Sequence, residues 1–391
     1  MRVTAWLRRD RTIALSGVAL AGQSLLFFAD MLWAFGAFGP SRPPVAADFP
    51  SFYAAGTLTL GGMPELAYDQ MAHWYAEQAV SGPDDPYIYF WYPPAFLPIC
   101  AALAKLPYMA AFVVFEAATL ALCVLVSVRI AAIGGWSWIL PALAFPPVLW
   151  CLGLGQNAFL TAALFGAGTL SVDSRPVRAG VLFGLLCYKP HFAVLVPVAL
   201  AAGGHARGLL AFAATVCLIA AGTVWLLGVE PWLRYLDALA AAAHVFGSGE
   251  ILLAGSITPF GAARLIGWPI GVAMGVQGGA SLIAAATVAW FWNRRSALPV
   301  RAASLIAGTL LSVPMALLYD LMGIGVCVAW LVRAGREGGF LPREKLLLAK
   351  VYLIALVSLP AGVAFHLPLG PLAPAIVLGL CVRRAAAATR G

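Results

Sequence analysis

Residues 207–228 read RGLLAFAATVCLIAAGTVWLLG. After the leading arginine the stretch carries no charge, and its length is what an α-helix needs to cross a bilayer. A hydrocarbon core of roughly 30 Å takes about 20 residues at a rise of about 1.5 Å each. Comparable runs recur on both sides, at 12–36, 93–106, 108–130, 136–152, 157–172, 177–188, 190–204, 269–292, 300–317, 320–334, 346–364 and 369–382. Together they predict an all-α polytopic membrane protein with about 11–13 transmembrane helices, forming one transmembrane domain over 1–391. Composition agrees. With 62% hydrophobic and 10% charged residues, the chain has too little polar surface to cover a soluble fold of 391 residues.

Other classes fall away on the same grounds. The seven cysteines all lie in apolar runs without CxxC pairing, which predicts free thiols packed as small hydrophobes. The net charge of +8 is spread over loops between apolar segments, so it argues orientation and not nucleic-acid binding. Arg8, Arg9 and Arg11 before an apolar stretch resemble a signal peptide. That stretch runs too long for a signal core, and it is expected to stay as the first helix.

Basic residues sort the loops. Arg2, Arg8, Arg9, Arg11, Arg175, Arg178, Arg207, Arg294, Arg295 and Arg301 fall on one side, with Arg333, Arg336, Arg343, Lys345, Lys350, Arg383, Arg384 and Arg390. The other side holds 37–92 and 229–268, with Asp48, Glu65, Asp69, Glu77, Asp84, Asp85, Glu230, Asp237 and Glu250. The first side reads as cytoplasmic, the N-terminus included. The second reads as the outer face of a bacterial inner membrane. Lys105 also looks cytoplasmic, which leaves one crossing too many before the GLGQNAF turn at 153–159. A half-helix at PPVLWCLGLGQN, residues 146–157, would restore the count, since broken helices are tolerated where they line a cavity. On the outer side, 64–80 and 231–246 combine helical apolar spacing with Trp and Tyr, as interfacial helices do.

Polar groups at membrane depth are expensive and therefore candidates for function. On the outer side these are Asp48 and Tyr53, Gln156 and Asn157, Lys189 and His191, Ser256, and Tyr319 with Asp320. Each has a plainer reading. Asp48 stands just before Pro50, where a helix cap is common. Gln156 and Asn157 could satisfy backbone freed by a helix break, Lys189 could extend to the interface, and His191 could be a packed core histidine. Neither HExxH, a phosphate loop, a regular Cys/His spacing nor an outer DxD occurs, so no metal and no cofactor is expected.

The stretches DFPSFYAAGTLTLGGMPELAYD (48–69), YPPAFLPI (92–99), GLGQNAFLTAAL (153–164), YKPHFAVLVPVAL (188–200) and LLYDL (317–321) occur in an order that resembles glycosyltransferase family 87. These are integral-membrane enzymes of the GT-C class, and the resemblance extends over roughly residues 12–335. It implies a GT-C-like helix bundle and transfer of a sugar, with mannose a candidate, from a polyprenyl-phosphate-linked donor to a lipid or glycan acceptor at the outer face. It further implies that Asp48 is the catalytic base. Lys189, His191, Arg234 and Arg264 are then candidates to stabilise the departing phosphate, the two arginines on loop position alone. The alternative reading is a multi-pass transporter or flippase, but no internal repeat is evident and the polar groups gather at one face.

Overall fold

The computed structural model describes residues 9–34, 48–83, 86–132, 138–248 and 253–388, and every regular element among them is helical. The α-helices are α1 (Arg9–Ala34), α2 (Phe49–Leu60), α3 (Gln70–Ser81), α4 (Leu97–Leu103), α5 (Tyr108–Ala131) and α6 (Ile139–Leu143). They continue with α7 (Pro147–Leu154), α8 (Ala158–Ser171), α9 (Pro176–Gly184), α10 (Val196–Ala202), α11 (Ala206–Leu227) and α12 (Glu230–Ser248). The last are α13 (Pro259–Leu265), α14 (Ile270–Asn293), α15 (Leu298–Ser312), α16 (Met322–Gly338), α17 (Glu344–Phe365) and α18 (Leu372–Ala388). Arg2, Arg8, Asp84, Asp85, Glu250 and Arg390, used above to assign sides, lie outside the described residues.

The stretches 108–131, 206–227, 270–293, 318–338 and 344–365 are long and apolar enough to cross a membrane. The chain is an all-α polytopic membrane protein. At its centre stands α15, buried without interruption from Pro299 to Leu310 and packed against α14, α16 and α18. A helix this largely apolar on every face belongs in an interior of this kind. By contrast α11 turns outward: Trp225 is 87% exposed, and Leu210 and Leu218 farther along the helix are exposed too, a surface suited to lipid.

Successive helices run between two ends. At one end Tyr108 of α5 meets Phe49 of α2, and Leu154 of α7 meets Asp48. At the other, Arg336 of α16 reaches the Ala131 and Ala132 carbonyls that close α5, and Arg301 binds Asp173 at 2.6 Å. Arg384 grips the fully buried Glu344 there as well. Arg301, Arg336 and Arg384 thus lie at the end away from Asp48.

Two expectations about 93–157 are corrected. The segment 93–106 is not a crossing: α4 is a short helix laid against α2, and Tyr53 Oη donates to the Leu106 carbonyl at 2.8 Å. Lys105 therefore stands at the Asp48 end. The return from α5 is made in two pieces, α6 and α7, broken at Ala144–Pro146, where paired prolines interrupt the helical hydrogen bonds. The half-helix expected at 146–157 is the second of these pieces, and the excess crossing disappears.

The outer segments 64–80 and 231–246 are helical, as expected, but they are also packed. Tyr68, in the 3-10 turn Pro64–Tyr68, meets Tyr235 of α12 with ring centres 5.9 Å apart. His73 of α3 is buried, its Nε2 3.0 Å from the Ser51 carbonyl of α2, and Glu77 Oε2 accepts the Ile88 N–H at 3.0 Å. Burial lowers the His73 imidazole to about 4, so it is neutral at pH 7 and donates to that carbonyl as a neutral ring.

Close approach of α2 and α4 requires Gly56, because a Cβ there would overlap the Cys100 carbonyl. Gly56→Ala is expected to force the two helices apart at a cost of about 1–3 kcal/mol and to lower the thermal unfolding transition in detergent. Gly222→Ala on α11, where a Cβ meets open space, should leave that transition unchanged or raise it slightly.

Candidate active site

The first outer helix is fastened by the aromatic residues that follow Asp48. Phe49 and Phe52 are fully buried. Phe49 packs on Tyr108, Phe112 and Phe115 of α5, and Phe52 on Tyr92 and Phe96, all edge-to-face or tilted with centres 5.2–6.1 Å apart. These rings belong to the protein core and not to the headgroup layer. They hold the backbone of Asp48 so that its side chain faces α7.

Asp48 does not cap α2 with its side chain. Its N–H donates to the Leu154 carbonyl at 2.9 Å, and its Oδ2 accepts from Gln156 Nε2 at 2.6 Å. The receiving turn is rigid for local reasons. Gly155 closes α7 at φ +69°, a conformation that favours glycine, and the N–H groups of Gly155 and Gln156 both return to the Cys151 carbonyl. Cys151 Sγ donates to the Gln156 carbonyl at 2.9 Å. The Gln156 amide is oriented in turn by Tyr92, whose hydroxyl donates to Oε1 at 3.3 Å. Asp48 is only half-buried, and its Oδ1 receives no hydrogen bond from the described residues. One carboxylate oxygen is held and the other is open.

Burial pushes the Asp48 carboxyl above its ordinary value; the Gln156 hydrogen bond and the positive charge of Lys189 offset part of that rise. A carboxylate raised in this way is a better proton acceptor than one in water.

Lys189 sits at the break between the 3-10 turns Leu185–Tyr188 and Pro190–Ala193. Its Nζ is 3.0 Å from Asp320 Oδ1, and both residues are buried. Asp320 Oδ2 accepts the Leu317 N–H at 3.1 Å, and the Lys189 ammonium lies 5.3 Å from the ring centres of Phe192 and Tyr319 and 5.9 Å from that of Tyr92. The cation is enclosed by aromatic faces and one carboxylate, an arrangement that compensates its loss of water. Asn157 is completely buried beside the Tyr92 hydroxyl, and its carboxamide makes no hydrogen bond of normal geometry.

Five of the residues expected from sequence therefore meet around Asp48: Gln156, Asn157, Lys189, Tyr319 and Asp320. His191 packs at a tilt on its neighbour Phe192, with ring centres 4.7 Å apart, and is half-buried. Ser256 lies next to the 313–318 stretch that leads to Asp320, bridged to Leu317 and hydrogen-bonded to Thr258. Tyr53 is directed away, to Leu106. Arg234 is spent on an exposed pair with Glu230 at 2.9 Å, and Arg264 Nη1 donates to the Trp268 carbonyl at 2.9 Å. Neither arginine is brought to the cluster. Tyr92 and Tyr188 were missed: Tyr92 links Gln156 to Lys189, and Tyr188 Oη is 2.6 Å from Thr161 Oγ1. Both stand in the quoted YPPAFLPI and YKPHF stretches, one and two residues before a proline, and that placement was the available signal.

Because Lys189 and Asp320 are buried as a pair, removing one partner strands the other. Lys189→Met and Asp320→Leu are each expected to destabilise by about 3–5 kcal/mol, while the double variant Lys189→Met/Asp320→Leu recovers most of the loss. A double-mutant cycle on the unfolding transition in detergent checks this.

A model of glycosyltransferase family 87 matches residues 90–319, more than half of the chain. Comparison with curated proteins and with solved structures gives no match. The matched stretch contains Tyr92, Gln156, Asn157, Lys189 and Tyr319; it begins after Asp48 and stops one residue short of Asp320. Most of the buried polar cluster therefore falls within the shared sequence of a family of sugar-transferring membrane enzymes. The chain belongs to glycosyltransferase family 87.

Proposed function

We propose that the protein transfers a sugar from a polyprenyl-phosphate-linked donor to a lipid or glycan acceptor, with Asp48 as the general base. The observation that carries this reading is the asymmetry of the Asp48 carboxylate, with Oδ2 fixed by Gln156 and Oδ1 open. Asp48 precedes the matched stretch, and its tie to Gln156 is what connects it to the family's sequence.

An acceptor hydroxyl at Oδ1 gives up its proton as its oxygen bonds to the anomeric carbon. The bond from that carbon to the phosphate oxygen breaks at the same time, and polyprenyl phosphate leaves with the electron pair. A single displacement inverts the anomeric centre. Lys189, committed to Asp320, acts here by keeping Asp48 ionised, and His191 is the candidate to donate an N–H hydrogen bond to the departing phosphate. The donor reaches the site from the bilayer, and the acceptor from the outer face of a bacterial inner membrane, with the N-terminus cytoplasmic. The polar groups lie at one end of the bundle, which favours an enzyme over a transporter that must open to both sides.

Transfer of labelled sugar from polyprenyl-phosphate-mannose in proteoliposomes tests the reading. Asp48→Asn is expected to lower turnover by about 10²–10⁴-fold with expression and donor binding retained. Equal turnover by this variant would show that Asp48 only positions the backbone.

The pH profile supplies a second check. The base works only when ionised, so the rate falls as pH drops through the Asp48 pKa. Burial places that acid limb above the ordinary aspartate value of about 3.9. The Gln156 hydrogen bond favours the ionised form, and Gln156→Leu should therefore move the acid limb to still higher pH. A limb unmoved by Gln156→Leu would exclude Asp48 as the titrating group.

A further inference from the structure

A second feature lies toward the opposite end of the bundle. A groove of about 680 Å³ runs between α1, α5, α6, α16 and α17. Its walls are apolar, with Leu15, Leu120, Phe145, Val328 and Leu348 among them. It follows α16 from Met322 to Arg336, a length of about 21 Å at the helical rise, against about 15 Å of hydrocarbon in one leaflet. The volume falls in the range of about 300–1,000 Å³ typical of ligand pockets.

The end farthest from Asp48 is cationic. Arg336 and Lys345 both line the groove there, with Phe340 and Trp138. Arg336 Nη1 donates to the Ala131 and Ala132 carbonyls, and Lys345 Nζ stands 4.8 Å from the Phe340 ring centre. Among the residues whose side chains are described, no carboxylate pairs with either cation. The neighbouring acids are already engaged, Glu337 by Arg333 at 2.8 Å and Glu344 by Arg384 and the Leu341 N–H. Trp138 Nε1 is buried without a hydrogen-bond partner. Two cations without a paired carboxylate, and a buried indole N–H without an acceptor, at one end of a long apolar groove are complementary to an anionic headgroup on a hydrocarbon chain.

We propose that this groove is a lipid site, taking one acyl chain of an anionic glycerophospholipid with its headgroup phosphate between Arg336 and Lys345. The site is separate from the Asp48 cluster, and its occupant is a bound membrane lipid and not a reactant.

Native mass spectrometry of the detergent-solubilised, delipidated full chain, titrated with phosphatidylglycerol, phosphatidylcholine or polyprenyl phosphate, tests the proposal. One tightly bound phosphatidylglycerol is expected, preferred over phosphatidylcholine. Arg336→Gln/Lys345→Gln should weaken that binding by about 30-fold, about 5-fold per cation. Arg336→Gln also gives up the bonds to the Ala131 and Ala132 carbonyls, so a small drop in its unfolding transition is expected, whereas Lys345→Gln alone should bind about 5-fold more weakly and keep the transition of the parent. Filling the groove from two different helices, with Val328→Trp or Ser16→Trp, should abolish the tight site, and either variant that keeps its fold suffices. Equal binding of the two phospholipids, a preference that survives the double Gln variant, retention of the tight site in a folded groove-filled variant, or a preference for polyprenyl phosphate would each overturn the assignment.

Discussion

Two hydrogen bonds join Asp48 to the break after α7, and the arrangement of the outer end depends on them. The N–H goes to the Leu154 carbonyl and the carboxylate to the Gln156 amide, so one residue answers both a backbone and a side-chain group left over by the interrupted helix. In a bilayer-embedded protein such groups must be satisfied from within. The break therefore does two things. It supplies the donor that orients a carboxylate, and it ties the first outer helix to the bundle across 108 residues of sequence.

Around that junction the protein has assembled a site in which charge is scarce and each charge is accounted for. Asp48 faces Gln156, Lys189 faces Asp320, and the space between them is closed by Tyr92, Phe192 and Tyr319. The aromatic residues are not a general filling. Tyr92 borders the lysine charge and also packs against Phe52 and Phe96, so a ring that holds α2 in place is one of those around the ammonium.

Much of this was legible in the sequence. Apolar length gave the helices, the basic loops gave the two ends, and the glycines and prolines at 146–157 marked a broken helix where one exists. What escaped was pairing. Nothing in spacing says that Lys189 will meet Asp320 and not Asp48, or that Tyr53 will turn to Leu106, because such choices are made by helix packing between segments far apart in the chain. Arg234 illustrates the converse. Its place in the outer loop suggested a role in the cluster, but a glutamate one helical turn away engages it at the surface. Lys105 misled for a related reason: a seven-residue helix packed on α2 looks, as sequence, like the beginning of a crossing.

The enclosure of the Lys189–Asp320 pair also bears on how this chain can vary over time. Loss of either charge leaves the other stranded in an apolar interior, so a lineage that changes one position passes through a poorly folded intermediate. The two sites, 131 residues apart, then behave as a single heritable character. They should change together among descendants or not at all, even where their immediate neighbours drift.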